Sequence, residues 1–222
     1  MMPDSNKIIS EFQRIKALGF VKNKRINNKD GGIGNTFEDH LGVSENNKKD
    51  PDFEGFEVKT QREFNSSYIT LFSKSPTNPD GANAILKDKF GEVRDPQFPE
   101  LKKLYASIFG NKQSLIYKKY YMQLKVDRDN SLLKLKSMIV VAAEQKKIHN
   151  INFYHYKSAT VYHNFVFSNF LSALEGGDIM FDIRIGVYNS GKNYGNPHDH
   201  GSGFRIKKEN IAQLFETTIH IE

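Results

Sequence analysis

The 222-residue chain has no cysteine and no tryptophan. Without cysteine there is no disulfide, no thiolate nucleophile and no thiolate metal site, which sits easily with a reducing compartment. Any metal must then be held by oxygen or imidazole. There is also no apolar run long enough to cross a bilayer. The N-terminal Met-Met-Pro-Asp-Ser lacks the basic-then-apolar pattern of a secretion signal, so an untargeted cytoplasmic protein is expected. What is present is a hydrophobic content of 38%, enough for a core and too much for wholesale disorder. The length suits one domain, or two lobes sharing one core. The formal net charge is +6, and lysines and arginines recur in pairs or clusters: Lys22, Lys24 and Arg25, Lys102 and Lys103, Lys118 and Lys119, Lys146 and Lys147. Phosphate binding through counterion release is one reading of this excess. An ordinary basic surface is the other, and the Phe and Tyr content does not decide between them.

Apolar spacing predicts a helix over 5–18, closed by Gly19. A basic, glycine-containing loop is expected over 22–34. A short helix then runs to Leu41, with Thr36 as N-cap and Asp39 three residues on. Residues 46–50 read as a polar turn. Strands are expected over 53–59 and 68–72, paired with each other, then a turn cluster over 75–81. Helices are expected over 83–90 and 98–109. Residues 120–126 and 132–136 alternate like half-buried strands. Residues 137–143 are apolar throughout and suit a central strand, and 153–156 read as a short one. A helix over 161–174 is closed by Gly176 and Gly177. Residues 179–188 alternate again and 189–201 form a loop. A strand at 204–206, a helix over 208–215 and a last strand complete the chain. Helices and strands mingle without a regular βαβ rhythm, which predicts an α+β fold with a mixed sheet.

The segment Asp50-Pro-Asp-Phe-Glu-Gly-Phe-Glu-Val-Lys-Thr60 carries the chemistry. Glu57 and Lys59 are two apart on one strand and so share a face, and Asp52 stands at the strand's start. Two carboxylates meeting there can hold a hard divalent cation such as Mg²⁺. A lysine beside it can orient or help deprotonate water and offset charge on a phosphate. The bare pattern is weak, since an Asp, Glu and Lys at this spacing arise by chance in roughly one such sequence in ten. A charged, solvated strand edge is the competing reading.

Four blocks extend the pattern: Gly32-Ile-Gly-Asn-Thr-Phe-Glu-Asp39, then 51–60, then Thr70-Leu-Phe-Ser-Lys-Ser-Pro-Thr-Asn-Pro-Asp-Gly-Ala-Asn83, and last 177–186 running on to 198–206. With these blocks in this order the chain resembles restriction endonucleases of the MvaI/BcnI type, relatives of the nickase MutH within the PD-(D/E)XK nuclease superfamily. The stretch 92–156 matches less clearly. The resemblance implies a PD-(D/E)XK core, a mixed sheet flanked by helices, in a two-lobed DNA clamp. It implies a lobe over 1–110 with the acid–acid–Lys site, core sheet and packing helix over 111–175, and a recognition lobe over 176–222. It makes Asp52, Glu57 and Lys59 catalytic, with Mg²⁺ on Asp52, Glu57 and the Val58 carbonyl, and Glu38 as an outer ligand or as an orienter of Lys59. It assigns groove contacts to Asp182, Arg184, His198, Asp199, His200 and Arg205. Arginine bonds guanine bidentately and a carboxylate accepts from cytosine N4, so a G·C-rich target is expected, and the resemblance implies that it is short and near-palindromic. Lys74, Asn78 and Asn83 would face DNA, or form a purely structural turn. The implied enzyme is a monomer cutting double-stranded DNA, with a cognate DNA methyltransferase as companion.

Rival readings stay open at this point. His198 and His200 would also suit a metal. The run Gly31-Gly-Ile-Gly34 lacks the Gly-Lys-Ser/Thr ending of a nucleotide-binding loop, which excludes that use. As to function, a restriction enzyme, a strand-specific nicking enzyme of mismatch repair and a non-catalytic DNA-binding module all remain. The intact acid–acid–Lys set argues against the last.

Overall fold

The computed structural model describes residues 4–24, 32–43, 51–63, 68–129 and 137–222. The expected turn at 46–50, the strand at 132–136 and most of the basic loop, with Arg25, lie outside these residues. In chain order the elements begin with α1 (Ser5–Ala17), β1 (Val21–Lys22), α2 (Gly32–Leu41), β2 (Phe56–Arg62), β3 (Tyr68–Ser73) and α3 (Ala82–Phe90). Next come β4 (Glu92–Val93), β5 (Lys102–Phe109), β6 (Ser114–Ile116), β7 (Tyr120–Met122), β8 (Ser137–Ile148) and β9 (Ile151–Phe165). The chain finishes with α4 (Phe167–Gly176), β10 (Ile179–Val187), β11 (Pro197–Asp199), β12 (Gly203–Lys207) and β13 (Phe215–Ile221). Short 3₁₀ turns occupy Gly191–Asn193 and Lys208–Leu214. The fold is α+β with mixed strand pairing, as expected.

Two compact units divide the chain, one of residues 1–67, 133–166 and 211–222, the other of 68–132 and 167–210. In the first, strands run β1-β9-β8-β2, with β13 also on β9. β2 is parallel to β8 and the other pairings are antiparallel. One sheet face carries Phe56, Val58, Ile139, Val141 and Val161. Helix α1 packs Ile8, Phe12 and Ile15 there, and α2 packs Ile33, Phe37 and Leu41. Helix α2 starts four residues before Thr36, which is fully buried inside it and bonds to Asn23 rather than capping. Its early start depends on Gly32. A Cβ there would stand 2.6 Å from the Asn23 amide and 2.8 Å from the Tyr154 hydroxyl, so a larger residue would push the helix off the sheet.

In the second unit the order is β3-β12-β10-β5-β4, with β11 also on β10. Strand β3 therefore pairs with β12, far along the chain, and not with β2. The expected helix over 98–109 is strand β5. The expected helix over 161–174 is the last turnings of β9 followed by α4. Leu104, Ala106, Ile108, Phe181, Ile183 and Ile185 form the apolar face of this second sheet, with Leu86 and Phe90 of α3 against it. Phe170 of α4 packs its ring on Phe72 and Phe204. The opposite face carries Asp182, Arg184, Arg205 and Ser107, together with Met180, Tyr105 and Phe109.

Candidate active site and base-reading face

Asp52 reaches Glu57 through a two-residue turn. Glu54 and Gly55 both have positive φ, 47° and 88°, the combination that joins tightly twisted antiparallel strands. Phe53 and Phe56 exchange both backbone hydrogen bonds across it, at 3.1 and 2.8 Å. The next pair outward is Asp52 opposite Glu57, and opposite residues point to one face. The Asp52 Oδ2 accepts from the Val58 N–H at 2.9 Å. That N–H lies on the edge of β2 away from β8, so the carboxylate also caps a free sheet edge. Lys59 points the same way as Glu57 and its Nζ donates to Glu57 Oε1 at 2.5 Å. Both side chains are about a quarter exposed, at 26%. The structure thus joins three of the four expected catalytic residues on one face.

Glu38 comes from α2, which packs on β2. A Cβ on Gly34 would lie 3.2 Å from Thr60 Oγ1 and 3.8 Å from Glu38 Oε1, which sets the Glu38 carboxylate near Thr60. Thr60 belongs to the face of β2 that receives the helices. Glu38 and Asp39 also oppose ionisation of Tyr156, whose phenol is pushed far above its usual range, chiefly by burial. Beyond Lys59 on its own face lies Gln61, 9% exposed, with neither amide atom hydrogen-bonded among the described residues. Nothing in the sequence set this glutamine apart.

The second group sits on the polar face of the other sheet. Alternation along β10 puts Asp182, Arg184 and Gly186 there, opposite the apolar Phe181, Ile183 and Ile185. Cross-strand partners add Tyr105 beside Arg184, Ser107 beside Asp182, and His198 beside Gly186. Arg205 lies opposite Met180 and Thr70. Asp182 differs from its expected role. Its side chain is 2% exposed, Oδ1 accepts from the Ser107 hydroxyl at 2.8 Å and Oδ2 accepts from Arg184 Nε at 2.8 Å. Arg205 Nε lies 2.8 Å from the same oxygen, in an ion-pair contact without an aligned hydrogen bond. No oxygen is left to meet a base, so this carboxylate holds two guanidiniums in place. Arg205 also donates to Thr70 Oγ1 and to the Gly201 carbonyl, and the Arg184 N–H to Ser202 Oγ.

Asp199 organises the preceding loop. It accepts from the Gly201 and Ser202 N–H groups and from the Ser75 hydroxyl, at 2.6–2.8 Å. Burial alone would raise its pKa, but these bonds outweigh burial and hold the carboxyl below its usual range. The Ser75 bond and a backbone bond from the Lys74 N–H to the Ser202 carbonyl tie the turn cluster to this loop. Lys74 and Asn78 are exposed there, and Asn83, half-buried on α3, has an Oδ1 with no hydrogen-bond partner among the described residues. His198 and His200 stand edge to face, centroids 4.5 Å apart, with Tyr188 on His198. Burial first, then electrostatic repulsion from His198 and Lys103, lower the pKa of His200, and Asp199 opposes them. Its imidazole is therefore neutral near pH 7 and able to accept or donate. Close approach of His200 needs Gly186, where a Cβ would come within 2.4 Å of Nε2.

The restriction endonuclease MvaI in complex with its cognate DNA substrate is 30% identical, with a TM-score of 0.79 and 98% of each chain covered. MvaI in the absence of DNA is also 30% identical, with a TM-score of 0.56 and coverage of 98% of this chain and 97% of that one. No curated protein sequence matches. The model of the MvaI/BcnI restriction endonuclease family matches residues 9–137 and 128–215, so it spans the stretch 92–156 that sequence blocks left obscure. With that match over most of its length, the chain belongs to the MvaI/BcnI restriction endonuclease family.

Proposed function

We propose that this restriction endonuclease hydrolyses double-stranded DNA with Mg²⁺ on Asp52 and Glu57 and with Lys59 at the reacting phosphate. The supporting observation is the Glu54-Gly55 turn, which sets Asp52 opposite Glu57 while Lys59 bonds to Glu57. Among the described residues no three acidic or imidazole side chains converge on one point. Two partly exposed carboxylates nevertheless suit Mg²⁺, which keeps several waters and takes one or two protein carboxylates beside substrate phosphates. The Val58 carbonyl would be a third oxygen. Bound there, the cation supplies positive charge that activates water and stabilises the phosphate's developing charge. Lys59, held by Glu57, orients the attacking water and shares that stabilisation. Attack is direct and in line, with no covalent enzyme intermediate. Glu38 serves as an outer ligand or as an orienter of Lys59.

Arg184 and Arg205, fixed by Asp182, read guanine in the major groove, with His198 and His200 beside them. Asp199 shapes the loop, and Lys74, Asn78 and Asn83 meet the backbone. The target is a short, G·C-rich, near-palindromic site, cut on both strands by one monomer that rebinds in the opposite orientation. Incubating supercoiled plasmid with the protein, with and without Mg²⁺, tests this reading. Linear product only with Mg²⁺ supports it. Nicking that needs a repair partner would favour the mismatch-repair alternative.

A further inference from the structure

Arg94 follows directly on β4, at the margin of the polar face. It is exposed, and among the described residues no carboxylate pairs with it. Two aromatic rings hold it instead. Its guanidinium carbon lies 5.5 Å from the centroid of Tyr105 and 5.9 Å from that of Tyr117, within the range of cation–π attraction. Those rings are themselves fixed. Tyr117 crosses the outer edge of β5, where its hydroxyl accepts from the Tyr105 N–H at 2.7 Å and donates to the Lys103 carbonyl. Tyr105 is the cross-strand partner of Arg184, whose guanidinium lies 5.7 Å from the same ring.

One tyrosine ring therefore carries two guanidiniums with different surroundings. Arg184 spends its Nε on Asp182, at the middle of the sheet. Among the described residues no hydrogen bond engages Arg94, and it follows the outer strand β4, whose Glu92 and Val93 pair with Lys103 and Lys102 of β5. Sharing one ring keeps the two guanidiniums no farther apart than the ~12 Å width of the major groove. A face that sets Arg184 against base edges would then bring Arg94 to the phosphates lining the groove. Stacking orders the long side chain beforehand, so less freedom is lost when DNA arrives.

The geometry points to Arg94 as a phosphate contact at the margin of the base-reading face, ordered before binding by Tyr105 and Tyr117. This rests on the assignment of that face to DNA. The test is anisotropy of a short fluorescein-labelled duplex of arbitrary sequence, without divalent cation, between ~50 and ~200 mM salt. Replacing Arg94 by Ala should lower the log–log salt slope by about one, and the affinity about tenfold at ~0.1 M salt. Arg94→Lys should retain the slope, because it keeps the charge. In a digest of phage DNA, the ends left by Arg94→Ala should have the wild-type sequence. An unchanged slope, or ends relaxed at one base position, overturns the inference. If the wild type binds duplex and Arg94→Ala keeps its slope, only this inference falls. If the wild type itself shows no salt-dependent duplex binding, the assignment of the face to DNA falls and takes the inference with it.

Discussion

Because the Lys59 ammonium is bound to Glu57, its removal separates chemistry from binding. Lys59→Ala is expected to reduce cleavage by roughly 10²–10⁴-fold, the usual contribution of a positioned proton-transfer group. Duplex affinity should stay within a few-fold, measured by anisotropy beside a plasmid assay. Asp182 is a different case, since it is buried and meets three partners. Asp182→Asn leaves the partly exposed Arg205 and Arg184 without their counter-charge, which should cost about 1–3 kcal/mol in urea unfolding. Specific binding should fall more than binding to arbitrary DNA, and an equal loss would show that the two arginines contact only phosphates. Gln61 works in the opposite sense. An unbonded buried amide costs about 1–3 kcal/mol, so Gln61→Met is expected to raise stability by about 1 kcal/mol in the same titration. Glu57 and Lys59 were legible because a spacing of two on a strand fixes a shared face. Asp182 looked like a free acceptor, because its burial comes from Ser107, Arg184 and Arg205 on three different strands, which no local pattern encodes.

The turn before β2 carries the active-site geometry. Gly55 has φ 88°, where a side chain costs roughly 1–2 kcal/mol. Gly55→Val should shift Asp52 from its place opposite Glu57 and lower the cleavage rate while duplex binding holds. An unchanged single-turnover rate would mean that the turn does not set the site. Other elements were misread for identifiable reasons. In β5, Tyr105 and Phe109 stand on the polar face, so that the apolar positions 98, 101, 104, 105, 108 and 109 imitate a helix. Only Leu104, Ala106 and Ile108, buried in alternation, reveal the strand. In β9, Val161 and Tyr162 are both buried, on opposite faces, which erased the period of two and merged the strand with α4. By contrast β10 was legible, since one of its faces is apolar and the other carries Asp182 and Arg184. The pairing of β3 with β12 was not, because strands adjacent in sequence were expected to pair and the partner lies more than a hundred residues on.

At the scale of the molecule, both compact units draw on separated stretches of chain, so their cores close only through long-range pairing. Three histidines share one electrostatic bias. Burial first, aided by Lys24 and Arg14 at His40 and by His198 and Lys103 at His200, lowers their pKa values below 6.5, and at His163 burial acts alone. The unfolded chain therefore takes up protons that the folded protein resists. This contribution to stability is complete above pH 6.5 and is lost as the pH falls below it. The melting temperature should be flat above that point and decline beneath it, and His163→Phe should make the decline shallower. A melting temperature that rises on mild acidification would contradict this. The central claim is that Asp52, Glu57 and Lys59 form the centre of a sequence-specific, Mg²⁺-dependent nuclease. Its most direct test is digestion of DNA of known sequence with Mg²⁺, by wild type and by Lys59→Ala, followed by sequencing of the fragment ends. The account predicts ends at one short, G·C-rich, near-palindromic sequence for the wild type and none for the variant. Ends scattered without a common sequence, or a variant that cuts at the wild-type rate, would contradict it.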